Sequence, residues 1–318
     1  MPRGLWTQAI TVLTRTAPTL DALAERLADR EPQRRETDSP NPWMGSPEGL
    51  MVPYRPEVNG WIELDVVPSP YPDPMGDPQS DPDLFGAWTM GSFGPGAFPG
   101  NLSRAVRHCV ACPEAAEVAA AEHGAFVRAR IAYVYGAGEN AVMEPEDRDP
   151  VDELWTLADL ASTLLEDDDA LAWFHPGGEV LLDAPTLATA LKNAVRHRVP
   201  PLDVFAHVRI FQIGDVDGWA VMDTVGTTLL GLPDNEACVP RDRDPNEIAS
   251  WLRQIQIYML ESGPVIEVGH MVDGPGGDWR AIAVAEGLVE PPRPTLRWAP
   301  EGVELPDVLA PDDAPKPE

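Results

Sequence analysis

The chain alternates short apolar stretches with long polar, proline-rich ones, and the period of the apolar positions sorts them into strands and helices. Leu5–Leu13, apolar residues mixed with threonine, reads as a strand. A helix follows over Leu20–Ala28, where Leu20, Leu23, Ala24 and Leu27 fall at helical spacing behind Ala17-Pro18-Thr19. Residues 30–49 are charged, then rich in Pro and Gly, and read as a loop. Leu50–Tyr54 and Trp61–Val67 come next as strands around the turn Val58-Asn59-Gly60. Residues 68–100 carry so many Pro, Gly and Asp that we expect one long connection, either only partly ordered or pinned by Phe85, Trp88 and Phe93. Helical patterns cover 101–110 and 114–123, and Phe126–Tyr135 alternates like a strand.

The acidic stretch 139–150 reads as a linker. Beyond it the pattern predicts an amphipathic helix (Val151–Leu165), a strand (Leu171–Phe174), the turn His175–Gly178, a short strand (Glu179–Leu182) and a helix (Thr186–His197). Two strands, Val204–Ile213 and Trp219–Val225, flank the turn Asp215–Gly218. Asp244-Pro245-Asn246-Glu247 opens a long helix through Leu260. A hairpin, Val265–Met271 and Trp279–Ala285, turns over residues 273–277, and the acidic, proline-rich residues 299–318 read as a disordered tail.

Several of these segments repeat. Ala17-Pro18-Thr19-Leu20 recurs as Ala184-Pro185-Thr186-Leu187, each time opening a helix. Val58-Asn59-Gly60-Trp61 with Asp65 and Val67 recurs as Val216-Asp217-Gly218-Trp219 with Asp223 and Val225. Asp81-Pro82, Phe85 and Trp88 are echoed by Asp244-Pro245, Ile248 and Trp251. Three matches in one order predict an internal duplication: two tandem ferredoxin-like βαββαβ units, 1–138 and 151–298, each an antiparallel sheet with helices on one face. Paired as a pseudo-dimer, they would leave a cleft where they meet. The fold class is α+β.

Charge narrows the partners. The 318 residues hold 52 acidic and 23 basic side chains, a net charge of −29. Such a surface repels nucleic-acid phosphates and anionic lipid and would attract a basic protein, although solubility alone accounts for an acidic composition. Three cysteines, an odd number, argue against a disulfide framework and for a reducing compartment. With no apolar run long enough to span a bilayer and no signal-peptide pattern, the expected location is the cytoplasm.

Candidate chemistry is sparse. His108-Cys109-x-x-Cys112 lacks the second thiol pair of a structural zinc site and falls in an Ala-rich helical region, where buried thiols are the expectation. His175 beside Pro176-Gly177-Gly178 sits where a ligand could be met, though a turn alone explains the glycines. His207 and Arg209 share one strand face. Asp223 repeats Asp65, and a pair of carboxylates could serve acid–base chemistry, but repetition fits a structural task better, with Arg128 and Arg130 as partners for Glu63 and Asp65. His175, His207, Arg209 and Asp223 are therefore the ligand-binding candidates. No catalytic residue, cofactor or metal is assigned, since the phosphate-loop, nucleophile-elbow and His-Glu-x-x-His patterns are all missing.

The segment from Trp173 to Trp298 resembles the bacterial domain-of-unknown-function family numbered 4261. The resemblance rests on Trp173-Phe174-His175-Pro176-Gly177-Gly178-Glu179-Val180-Leu181 and on the stretch from Val216-Asp217-Gly218-Trp219 to Gly226. It continues through Gly231-Leu232-Pro233-Asp234 and Asp244-Pro245-Asn246-Glu247 to Gly274-Pro275-Gly276-Gly277. It implies an α+β domain and supplies no activity. The expected function is a non-enzymatic protein-binding module, of immunity or adaptor type, engaging a basic partner through its acidic surface or the cleft. The alternatives are an enzyme or small-ligand binder using that cleft, and a structural subunit of a larger assembly.

Overall fold

The computed structural model describes residues 5–38, 41–135, 138, 141–213 and 216–310. The chain divides into two compact units, Met1–Phe205 and Ala206–Glu318.

The first unit is built on strands that are apolar on both sides. β1 (Gln8–Thr14) and β5 (Ala125–Ala132) are buried along their whole length and pair antiparallel, Val12 opposite Val127. Burial of both faces explains why neither alternates cleanly in sequence. With β2 (Gln33–Glu36), β3 (Glu48–Arg55), β4 (Gly60–Val67), β6 (Ala170–His175) and β7 (Val180–Leu182) they form a sheet of order β2-β3-β4-β5-β1-β6-β7. All its ladders are antiparallel. Helices cover both faces, not one. α1 (Leu20–Arg26) and α5 (Pro150–Leu164) lie over the face carrying Val12, Thr14 and Val127. On the opposite face Leu13, Phe126 and Phe174 form a core with Leu84 and Trp88 of α2 (Pro82–Thr89), Leu102 and Ala105 of α3 (Asn101–His108), and Ala116 and Ala119 of α4 (Pro113–Glu122). α6 (Ala184–His197) and the short α7 (Leu202–Phe205) complete the unit.

In the second unit β8 (His207–Phe211), β9 (Trp219–Val225), β10 (Asp234–Pro240), β11 (Met271–Gly274), β12 (Gly277–Val284) and β13 (Thr295–Pro300) form a sheet of order β11-β12-β13-β10-β9-β8. β10 and β13 run parallel and the other pairs antiparallel. α8 (Pro245–Ser262) lays Ile248, Trp251, Leu252, Ile255 and Met259, one face at helical spacing, on Ala237, Val239, Trp279 and Trp298. The longer helices start alike. Asp149, Asp183 and Asp244 each accept a backbone N–H of the first turn at 2.9–3.0 Å, with proline just inside.

Several expectations change. The stretch 139–150 does not separate the units, because β6, beyond it, pairs with β1 before it. Residues 68–100 contain a helix and are held by Tyr71, Trp88 and Phe93, whose rings pack together; Leu84 takes the anchoring place expected of Phe85. Two strands missing from the sequence reading, β10 and β13, lie at the centre of the second sheet. The expected tail starts within β13, and Leu309 is buried; residues 311–318 lie outside the described residues. Neither sheet is the four-stranded sheet of a ferredoxin-like unit, and the second copy of the repeat is divided, Ala184–Leu187 opening α6 of the first unit and Trp219 and Asp223 lying on β9 of the second.

Candidate functional site

The repeated aspartates enter the core with arginine partners. On β4 and β5, Asp65 stands opposite Arg128 and Glu63 opposite Arg130. Arg128 donates Nε to Asp65 Oδ1 at 3.0 Å and Nη2 to Oδ2 at 2.6 Å, a two-pronged fork, while Arg130 Nη2 reaches Glu63 at 3.0 Å. The spare donors hold loops. Arg128 Nη1 donates to the carbonyls of Trp43 and Ser92, Arg130 Nη1 to those of Met44 and Ser92, and Asp65 accepts the Ser46 N–H. Trp6 stacks on Arg130 at 4.0 Å. Burial alone would raise the Asp65 pKa; the charges of Arg128 and Arg130 outweigh it and hold the carboxyl below the ordinary range.

In the second unit Asp223 accepts a similar fork from Arg209, which stands directly opposite it on the β8–β9 ladder, with Nε to Oδ1 at 3.0 Å. Arg293 bridges Asp223 and Asp234 and also donates to the Thr224 and Pro291 carbonyls. Asp234 in turn accepts the Thr227 N–H at 2.8 Å. Its burial pushes the carboxyl above its usual range, only partly offset by Arg293. Arg297 pairs with Glu236 at 2.6 Å and donates to Leu309 O, which ties down the segment after β13. These carboxylates and guanidiniums bind one another and the backbone, and the network clamps β8, β9, β10 and β13.

The structure therefore brings Arg209 and Asp223 together as a structural pair. His207 lies half-buried at the start of β8, two residues from Arg209 on the same face. His175 ends β6 in the first unit, fully buried, with Nδ1 2.8 Å from Phe205 O. Burial lowers its pKa to about 4 despite that bond, so the ring is neutral at pH 7, and Nε2 has no partner. Gly178 is needed here by close approach: a Cβ would stand 2.2 Å from Phe205 O and 2.6 Å from His175 Nδ1. Arg293, Asp234, Glu236 and Arg297 were missed by sequence reasoning because no local spacing links them.

Two depressions among the described residues bear on ligand binding. One, of about 210 Å³, is floored by Val12, Thr14 and Val127 and walled by Ala22, Leu23 and Leu164. Thr14 is buried with its hydroxyl unpartnered, and the Arg26–Asp167 ion pair sits at the rim. The other, an open groove of about 530 Å³, runs beside Ser250, Trp251 and Gln254 of α8 and the β11–β12 turn. Cys109 and Cys112 are half-exposed, between α3 and α4, and not buried in a helix as expected. Among the described residues no group of three or more His, Cys, Asp or Glu side chains is placed to hold a metal, and no helix is long and apolar enough to cross a membrane.

The fold and its internal ion ladders define an α+β protein with antiparallel-dominated sheets and eight α-helices among the described residues. Residues 223–299, from Asp223 to the end of the β10–β13 ladder, match the family described as Domain of unknown function (DUF4261). The match takes in most of the buried network but begins after Trp173–Leu181 and Val216–Met222, two of the stretches that carried the resemblance. No curated protein and no solved structure matches the chain.

Proposed function

We propose that this protein is a non-enzymatic binding module that engages a basic protein through its acidic surface. The observation that carries the reading is where the cations go. Arg104, Arg128, Arg130, Arg209, Arg293 and Arg297 are buried, six of only 23 basic side chains, whereas seven of 52 acidic ones are buried among the described residues. The outside is thus poorer in positive charge than composition alone implies, and a one-signed surface steers an oppositely charged partner. Acid density peaks between Glu139 and Asp169, where twelve carboxylates accompany a single arginine, Arg148. Four of them, Glu166–Asp169, follow the C-terminus of α5, where the helix dipole disfavours anions. Asp167 and Asp169 are engaged by Arg26 and Thr16, whereas Glu166 and Asp168 are exposed, which supports a role for these two in recognition.

The test is capture of a partner on the immobilised full chain at low salt, followed by a salt gradient. The expected result is a basic protein released as salt rises, and released earlier from the variant carrying Glu166→Gln with Asp168→Asn. Nothing retained, or retention indifferent to salt, counts against the reading. A second reading, small-ligand binding, draws on the 210 Å³ pocket with its unpartnered Thr14 hydroxyl. The duplication also has local support: Trp61 and Trp219 each open the second strand of a hairpin, four residues before a buried, arginine-bound aspartate. A pseudo-dimer of whole ferredoxin-like units draws none from the strand orders.

A further inference from the structure

The short loop between α3 and α4 sets two thiols side by side. We propose that Cys109 and Cys112 are a reversible dithiol–disulfide couple that exchanges with low-molecular-weight disulfides. The two Sγ atoms lie 3.7 Å apart, in contact, across a surface loop whose Val110 is 87 % exposed. A disulfide needs about 2.05 Å, so closure asks for under about 2 Å of movement, within reach of side-chain rotation. Both sulfurs also face one carbonyl, Leu181 O, at 3.5 and 3.8 Å. Leu181 belongs to β7, the last strand of the first sheet, so the pair is held against a fixed edge.

The local backbone makes the two thiols unequal. Cys109 caps the end of α3 and Cys112 precedes Pro113 at the start of α4. The Cys112 thiol, followed by the N–H groups of Cys112 and Ala111, favours the Cys109 thiolate over the opposing effects of burial and Asp183, and lowers its pKa to about 6. The same contact pushes Cys112 up. One sulfur is thus the attacking thiolate and the other a protonated resolving thiol. Cys238 differs: it is buried in the second unit and burial pushes it up to about 12. A structural staple is a poor alternative, because a ring this short removes little denatured-state entropy and a half-exposed bond is open to exchange.

In the first step the Cys109 thiolate attacks one sulfur of a disulfide; the Cys109–S bond to it forms as the old S–S bond breaks, and the first thiolate leaves and is protonated by solvent. Cys112 then gives up its proton and attacks Cys109 Sγ, expelling the second group as a thiol that carries that proton. The protein dithiol loses two electrons and the small disulfide gains them.

Oxidised glutathione with the native full chain is the test. The expected product has lost two of its three free thiols, yields a peptide cross-linked between positions 109 and 112, and returns to three thiols with dithiothreitol. Cys112→Ser should stop at a glutathione adduct on Cys109, and alkylation of Cys109 should rise with pH to a plateau with its midpoint near 6, not near the ordinary value of about 8.5. Three free thiols persisting in the wild-type chain, or a stable glutathione adduct in place of the cross-link, would overturn the proposal. That thiol count decides the matter even if the variant does not fold.

Discussion

His175 shows how a residue that looks chemical in sequence can be spent on packing. Its ring is sealed by Phe205 O and by Gly178, where no side chain fits. Because burial drops its folded pKa from an ordinary 6.5 to about 4, the unfolded chain binds the extra proton first. The stability that follows is present in full above about pH 6.5 and lost as pH falls toward 4, up to roughly 3 kcal/mol for the whole shift. His175→Asn, which keeps a donor for the Phe205 carbonyl but cannot titrate, is expected to flatten the dependence of unfolding free energy on pH between 6.5 and 4.5. Parallel denaturation curves for the two proteins across that range would refute the assignment. The neighbourhood of Pro176-Gly177-Gly178 was legible as a turn; the depth of the imidazole was not, since nothing local indicates that α7 closes over it.

At the scale of elements, the β4–β5 ladder carries the clearest energetic claim. Asp65 is the fork partner of Arg128, lies 3.8 Å from Arg130, whose nearer partner is Glu63, and accepts the Ser46 N–H; with Arg128 it joins the sheet to the 43–46 and 92 loops. Asp65→Asn leaves Arg128 and Arg130 under-compensated and is expected to cost about 3–5 kcal/mol, while Asp65→Leu with Arg128→Met should recover much of that. Chemical denaturation measures both; a loss under about 1 kcal/mol for the single variant would contradict the assignment. This pairing was readable, because alternation puts Glu63, Asp65, Arg128 and Arg130 on one face. β10 and β13 were not readable. Asp234, Glu236 and Arg297 break their apolar pattern, and Glu236 finds Arg297 61 residues further along the chain. β2, Gln33–Glu36, hides for another reason: an exposed edge strand tolerates charge. The helical Ala run after Pro113 masked the break that exposes Cys109 and Cys112.

For the whole molecule, charge is the property that sequence conveyed best and structure sharpened. Six arginines are drawn inward, most of them to serve carboxylates on neighbouring strands, and acidic side chains outnumber basic ones in what remains outside. The repeated Asp-Gly and Asn-Gly turns were also visible in advance, but not the unit division at residue 205, because strands paired across the expected linker carry no mark of their partner. If recognition rests on the acidic exterior, it should act mainly on encounter. The most direct measurement is the association rate constant of the full chain with its captured basic partner at a series of ionic strengths. A fall of about 10-fold or more between roughly 0.05 and 0.5 M salt, with a smaller change in the dissociation rate, is the expected result. An association rate that does not change with salt would contradict the account.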